Sequence, residues 1–514
     1  MRPQTLAALA AASLTAAALA GCARRPEPAP APAAADTIAA RASDLVARPS
    51  AFDRGQRPTL GAPKPLTLPP AVTRTLPNGL ELVVVEQHEL PLADVILLLG
   101  TGGEADPAGK PGVATLVAEL LDEGTATRTS LAIADQEAYL GVSIDAASGW
   151  DASRVTLHTP TAQLDSALAL FADVALRPAF AAKEFERVKR ERLTDLVQLK
   201  DRAPAIADRA FASIVFGDRH PYGRPLEGTE RSVRAIGRAD VQRFYQAHYR
   251  PGNATLIVVG DVTPDDVERR ARALFGAWAG GAPAAAGAAN GATAGAGAPA
   301  RGTTAVYLID KPGAPQTSVR IGGVGVARST EDYFPLLVAN TILGGSFTSR
   351  LNQNLRESKG YTYGARSRFD MRRTAGPFTA SAEVTGTKTD SSLVEFMNEL
   401  RSIRDTVPAA ELEKAKQYLQ LQLPGAFETT GQIASQLVPL VLHGLPLDFY
   451  DRYAEMVSRV TQSDVQRVAR QYIDPAKVAV VIVGDRKSIE SPVRGLGLGE
   501  LQLRDLSGQP LAVP

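Results

Sequence analysis

The 514-residue sequence predicts an α+β protein of two similar halves, each a mostly antiparallel sheet with helices laid on one face. Three observations point there. Strand-like and helix-like runs alternate in both halves, landmarks repeat at a fixed offset, and two low-complexity stretches separate bodies of roughly 210 residues, the size of a domain.

The strand signals come first. Leu80 to Glu86 and Asp94 to Leu99 are rich in Val, Ile and Leu and are joined through proline-containing turns. Val113, Leu116, Val117, Leu120 and Leu121 then follow the spacing of a buried helix face, and further helical patterns cover Leu164–Leu176, Ala182–Lys200 and Asp240–Tyr249. An apolar strand after Pro251 stops at Gly260-Asp261, and a matching strand after Pro475 stops at Gly484-Asp485. Gly484 lies 224 positions after Gly260; near the front of each half, Pro315, Val319 and Ile321 lie 224 positions after Pro91, Val95 and Leu97. An equal offset at both ends indicates an internal duplication. Between Pro26 and Pro70 ten prolines and little apolar periodicity predict an extended tether. From Ala279 to Ala300, 20 of 22 residues are Ala, Gly or Pro, which predicts a joint that cannot pack a core. The expected organisation is therefore a leader over 1–21, a tether over 22–70, a first domain over 71–278, a linker over 279–303 and a second domain over 304–514.

Composition narrows the function. With 56 basic and 55 acidic side chains the net charge is +1, which excludes a general electrostatic grip on nucleic acid. One cysteine permits neither a disulfide framework nor a cysteine-ligated zinc cluster. That residue, Cys22, follows Leu19-Ala20-Gly21 and a short apolar run with Arg2 ahead of it, a stretch shorter than the ~20 residues of a membrane span. It resembles a bacterial lipoprotein signal, which implies lipidation of Cys22 and attachment to a membrane through the lipid. Ala23 after the cysteine implies an outer-membrane anchor facing the periplasm.

The segment Gly112 to Thr125 resembles the active-site helix of the insulinase, pitrilysin and mitochondrial-processing-peptidase family. His220-Pro221-Tyr222-Gly223, Gly228-Thr229 and Tyr249-Arg250-Pro251-Gly252-Asn253 are similar to that family's later landmarks. Leu343 to Leu351, then Leu355-Arg356-Glu357 and Gly360-Tyr361-Thr362-Tyr363, resemble the hallmark of its second domain. The resemblance runs from about residue 72 to 510 and implies the processing-peptidase fold.

It also shows what is missing. Family peptidases carry H-x-x-E-H, two zinc-binding imidazoles and a base on one helical face. Here those positions are Thr115, Ala118 and Glu119, and the family's remaining zinc ligand falls on Asp195. Two carboxylates and a hydroxyl are poor zinc ligands. The five histidines, His88, His158, His220, His248 and His443, offer no pair at metal-ligand spacing, and His220 is expected to cap or pack a loop. No metal is expected in this chain.

The resemblance implies a role for Arg356 and Tyr363, seven residues apart in the second domain. Phe347, Leu351 and Leu355 have helical spacing, which puts Arg356 near the end of a helix stopped by Gly360. Tyr361, Tyr363 and Ala365 alternate as one face of a strand, with Tyr361 the second candidate tyrosine. A guanidinium and a phenol can stabilise a developing oxyanion. Gly344-Gly345-Ser346 is either a substrate-contacting loop or a tight turn. The sequence thus implies a non-catalytic subunit that lends Arg356 and Tyr363 to a homologous H-x-x-E-H partner, which would hold the zinc and act on a peptide. The alternatives are a peptidase-like scaffold or binding lipoprotein, and an autonomous enzyme with an unusual metal site at Glu119 and Asp195.

Overall fold

A computed structural model describes residues 68–280 and 302–511. Cys22, nearly all of the tether and most of the linker lie outside the described residues. Those described belong to one compact unit, Pro63–Pro514.

Two six-stranded sheets carry the fold. The first holds β1 (Ala71–Thr75), β2 (Glu81–Glu86), β3 (Leu92–Leu99), β4 (Ser143–Ser148), β5 (Ser153–Pro160) and β6 (Ala254–Gly260), in the order β1-β2-β6-β3-β5-β4. The second holds β7 (Ala305–Asp310), β8 (Gln316–Val324), β9 (Thr362–Phe369), β10 (Pro377–Thr385), β11 (Ala479–Gly484) and β12 (Glu500–Arg504), in the order β12-β7-β11-β8-β10-β9. From β2 and β7 onward the orders are the same, as duplication requires. β2 and β6 run parallel, as do β7 and β11, while the pairings from β6 to β4 and from β11 to β9 are antiparallel. The copies differ at one edge. There β1 pairs antiparallel with β2, whereas β12 comes from the chain's far end and pairs parallel with β7.

Each half lays its own helices on one face of its sheet, as the sequence predicts, but the opposite face is not left bare. Leu82, Val84, Val95, Leu97, Leu256 and Val258 meet first-half helices, whereas Val83, Val85, Ile96, Leu98, Ile257 and Val259 join a core built largely from the second half. The second-half helix Thr430–Leu442 packs on β3 and β6. Reciprocally, the first-half helix Ala203–Phe216 packs on β8 and β11, placing Ile206, Ala210 and Phe211 against Tyr307, Ile309, Val481 and Val483. The duplicated halves exchange equivalent helices. This explains why Leu82-Val83-Val84-Val85 is continuously apolar rather than alternating: both faces of that strand are covered.

Polar side chains fix the exchange. Arg320 on β8 is buried and pairs with Asp208 of the exchanged helix at 2.6 Å and with Glu383 at 2.9 Å. Asp151 of the first half accepts hydrogen bonds from the Tyr222 hydroxyl at 2.7 Å and from the backbone N–H of Arg373 at 2.8 Å. Beside it, the Glu104 carboxylate accepts from the Gly102 N–H at 2.9 Å and faces Arg373 at 3.5 Å. Burial, with Asp151 close by, pushes the Glu104 pKa from 4.5 up to about 8 against the pull of Arg373. A folded-state pKa above the unfolded one means that the native chain holds a proton the unfolded chain has released. Stability from this group is full below about pH 4.5 and is lost as pH rises through about 8, at roughly 1.4 kcal/mol per pH unit inside that window. Glu104→Gln is expected to flatten the decline in urea-unfolding stability over that range; an unchanged slope would show that Glu104 does not titrate there.

Candidate functional site

The helix Val113–Glu119 starts at a defined point. Gly112 has φ of +104°, and a Cβ there would lie 3.0 Å from the Glu227 carbonyl, so only glycine fits comfortably. The Asp106 carboxylate accepts from the N–H groups of Gly112 at 2.7 Å and Ala114 at 2.8 Å, covering donors that the first helical turn leaves unpaired. Thr115 and Ala118 are buried, and Glu119 is partly exposed at the helix end.

These three positions share a face, and what fills it is Arg192. Its guanidinium donates to the Thr115 hydroxyl at 3.0 Å, to the Glu227 carbonyl at 2.9 Å and to the Glu119 carboxylate. Thr115 in turn has the carbonyls of Gly112 at 3.1 Å and Leu226 at 3.3 Å within reach of its single hydroxyl proton. Burial pushes Glu119 up while the adjacent Arg192 pulls it down. Asp195, which the resemblance assigns to the remaining ligand, is exposed on helix Ala182–Leu199 one turn beyond Arg192 and makes no hydrogen bond to Glu119 among the described residues. Of these two residues it is Arg192 that bonds Thr115 and Glu119.

Zinc does not fit this arrangement. A fixed positive charge sits between the two oxygen groups that remain, no imidazole is present, and the methyl of Ala118 stands where a base would be needed. Among the described residues no three His, Cys, Asp or Glu side chains group so as to hold a metal ion. His220 accepts from the Tyr222 N–H at 3.1 Å and lies against the Phe216 ring, capping its loop as expected.

Arg192 carried a signal that sequence reasoning passed over. Phe185, Val188, Arg192 and Leu196 are the buried stripe of their helix, at spacings of three and four. An arginine on an apolar stripe demands a partner, and the nearest carboxylate in the fold is Glu119.

Arg356 and Tyr363 line one open groove together with Gly344, Gly345, Ser346 and Phe347. Arg356 lies in the π-helical turn Gln353–Ser358, which stops at Gly360 with φ of +65°. Its guanidinium stacks 4.4 Å above the Phe347 ring and reaches Glu357 at 3.5 Å. The helical spacing of Phe347, Leu351 and Leu355 holds only in part: Leu351 and Leu355 are buried, but Phe347 precedes the helix and is exposed, a platform for Arg356 instead of a core residue. Tyr363 extends from the free edge strand β9 and is 90% exposed, whereas Tyr361 packs against the core. Of the two tyrosines, Tyr363 has its ring open to the groove.

The glycines there are required by close approach, not by a turn. Both lie in the helical turn Thr341–Gly345, where a Cβ on Gly344 would come within 2.2 Å of the Ser367 nitrogen and one on Gly345 within 2.7 Å of the Asn340 amide. Buried Asn352 ties the groove together, donating to the Phe347 carbonyl at 2.6 Å and accepting from the Ala365 N–H at 3.2 Å. Nothing in the local pattern distinguished Asn352 from an ordinary helix residue.

A duplicated α+β sandwich with exchanged helices, a ligand-poor metal helix in one half and an arginine–tyrosine groove in the other defines an insulinase-like peptidase homologue. Residues 82–230 match the insulinase (peptidase family M16) domain, and residues 235–419 match the peptidase M16 inactive domain. An uncharacterized zinc protease of Mycobacterium tuberculosis is 28% identical over 82% of this chain and 95% of its own length. An uncharacterized zinc protease of Bacillus subtilis, YmxG, is 23% identical over 70% of this chain and 86% of its own length. Among solved structures, a peptidase M16 inactive domain from Pseudomonas fluorescens is 26% identical with a TM-score of 0.74, covering 81% of this chain and 98% of that one. A protease from Helicobacter pylori shares the fold at 22% identity, TM-score 0.74, over 81% and 100% of the two chains. The chain belongs to the insulinase-like peptidase M16 family.

Proposed function

We propose that this protein is a non-catalytic subunit of a zinc metalloendopeptidase, binding no zinc itself and lending Arg356 and Tyr363 to the active site of a homologous H-x-x-E-H partner. The observation that carries the reading is the contrast between the two halves. In the first, Arg192 bonds both Thr115 and Glu119, which in this reading stand where a zinc-binding relative would have its imidazoles. In the second, Arg356 and Tyr363 remain in an open groove, with no carboxylate among the described residues bonded to either beyond the neighbouring Glu357. A scaffold would have no use for an exposed phenol beside a stacked guanidinium.

In this reading the partner supplies the metal and the nucleophile. This chain's part is to hold the peptide and hydrogen-bond the carbonyl oxygen as it becomes negative, which an arginine and a tyrosine hydroxyl both do by donation. The substrate is an extended peptide, and the free edge of β9 beside Tyr363 offers backbone groups for it to pair with. Lipidation of Cys22 would place the complex at a membrane facing the periplasm, most simply the outer one.

The test is co-expression with H-x-x-E-H homologues from the same cell, followed by pull-down, elemental analysis and a peptide-cleavage assay. The chain alone is expected to carry well under one zinc per molecule and to leave unstructured peptides intact, and the complex to cleave them in a chelator-sensitive way. Stoichiometric zinc and cleavage by the lone chain would overturn the proposal, and failure to recover any complex would favour the scaffold.

A further inference from the structure

A second cavity, sharing no residue with the Arg356 groove, lies beside the Arg192 helix. It has a volume of ≈ 500 Å³ and is walled by helices Ala182–Leu199 and Ala203–Phe216, the loop that follows them and the C-terminal segment around Leu506. That size suits a ligand of a few residues. Its apolar part comes from Leu196, Leu199, Ile206 and Leu506.

The charges around it do not balance. Lys200, Arg209, Arg224 and Arg231 line the cavity, against only Asp218 and Glu230. Glu230 is taken by Lys200 and by Arg234, the latter at 2.7 Å. Asp218 accepts from the Ser213 hydroxyl at 2.8 Å and the Gln509 amide at 3.2 Å. Among the described residues no carboxylate is bonded to any of the three arginines, although Glu227 acts on Arg209 and Asp106 on Arg224 through space. Arg209 donates to the Gly228 carbonyl, Arg224 donates to the carbonyls of Asp218 at 3.3 Å and Arg219 at 2.9 Å, and Arg231 has no hydrogen-bond or ion-pair partner among the described residues. A guanidinium has five donors, so most of theirs remain available. Burial holds the Arg209 pKa below its ordinary value, with the Glu227 carboxylate pulling it back up and Arg192 pushing it down.

We infer that this cavity binds the free carboxylate end of an apolar peptide, with Arg209, Arg224 and Arg231 around the carboxylate and Leu196, Leu199, Ile206 and Leu506 around the last side chain. A planar carboxylate matches the guanidinium fork, and a partly enclosed site strengthens the pair. A fatty acid has the same head group. The wall, however, also presents the Ser507 hydroxyl and the Gln509 amide oxygen, which can bond a peptide backbone and have nothing to bond on an alkyl chain.

The experiment is isothermal titration of the full chain with acetyl-Ala-Leu-Leu carrying a free carboxylate, with the same peptide as its amide, and with decanoate. The acid is expected to bind at least about tenfold more tightly than the amide, and Arg231→Ala and Arg224→Ala are each expected to weaken it about tenfold, the worth of one charge-assisted hydrogen bond. Arg231 is exposed and unbonded, so its variant keeps the fold, which an unchanged thermal midpoint verifies. Arg470→Ala, an exposed arginine outside the cavity, should leave affinity unchanged. Equal affinity for acid and amide, indifference to Arg231→Ala, no binding of the peptide acid, or tighter binding of decanoate than of the peptide acid would each overturn the assignment.

Discussion

Tyr363→Phe is expected to lower turnover of the assembled peptidase about a hundred- to a thousand-fold, roughly 3–4 kcal/mol of transition-state stabilisation. The change deletes one hydroxyl. Tyr363 is 90% exposed on an edge strand, so neither the core nor the sheet loses a contact, and folding and complex formation should be unaltered. Tyr361→Phe is the internal comparison: that ring packs against the core, and its backbone carbonyl accepts from the Thr385 N–H at 2.9 Å, contacts that the phenylalanine keeps. Arg356→Ala is a less clean probe because it also removes the stack on Phe347. The deciding measurement is steady-state cleavage by the reconstituted pair at matched complex concentration. Full activity in both Arg356→Ala and Tyr363→Phe would mean that the groove is a family relic and that this subunit contributes shape alone.

Arg192→Ala is expected to destabilise the chain by about 3 kcal/mol. The substitution removes a buried side chain with hydrogen bonds to Thr115, Glu119 and the Glu227 carbonyl, one of them charge to charge. The usual penalty for breaking a buried ion pair, about 3–5 kcal/mol, is reduced here because Glu119 is partly exposed and can recover water. Glu119→Gln should cost less, about 1 kcal/mol, since Arg192 keeps its two neutral acceptors and can still donate to an amide oxygen. Neither effect was expected from sequence reasoning, which left Glu119 without a partner and passed over the place of Arg192 on a buried stripe. Urea unfolding monitored by circular dichroism measures both. A loss below about 0.5 kcal/mol for Arg192→Ala, the size of an ordinary surface change, would show that the guanidinium does not hold the two helices together.

The sequence by itself determined the class of sheet and helix, the duplication and the loss of the zinc ligands. Those properties are local. Val- and Ile-rich runs, three-four spacing and the identities of Thr115, Ala118 and Glu119 are fixed by residues adjacent in the chain. It also put Arg356 near a helix end, because Gly360 marks that end locally, and Tyr363 on a strand. Tyr361, Tyr363 and Ala365 do not share one face, however: Tyr361 precedes β9 and the register shifts opposite Tyr363, leaving Tyr363 exposed and Ala365 buried. The tertiary structure alone decided the exchange of helices between halves, since a continuous apolar strand says that both faces are covered without saying by what. It decided as well that Phe347 is a platform, that Gly344 is held by Ser367, and that Asn352 bridges helix and strand, contacts that span up to 23 residues and leave no periodic mark. Arg192 stands between the two. Its place on a buried stripe was legible in the chain, but Glu119, the partner that makes that burial tolerable, lies 73 residues away and meets it only when the two helices pack.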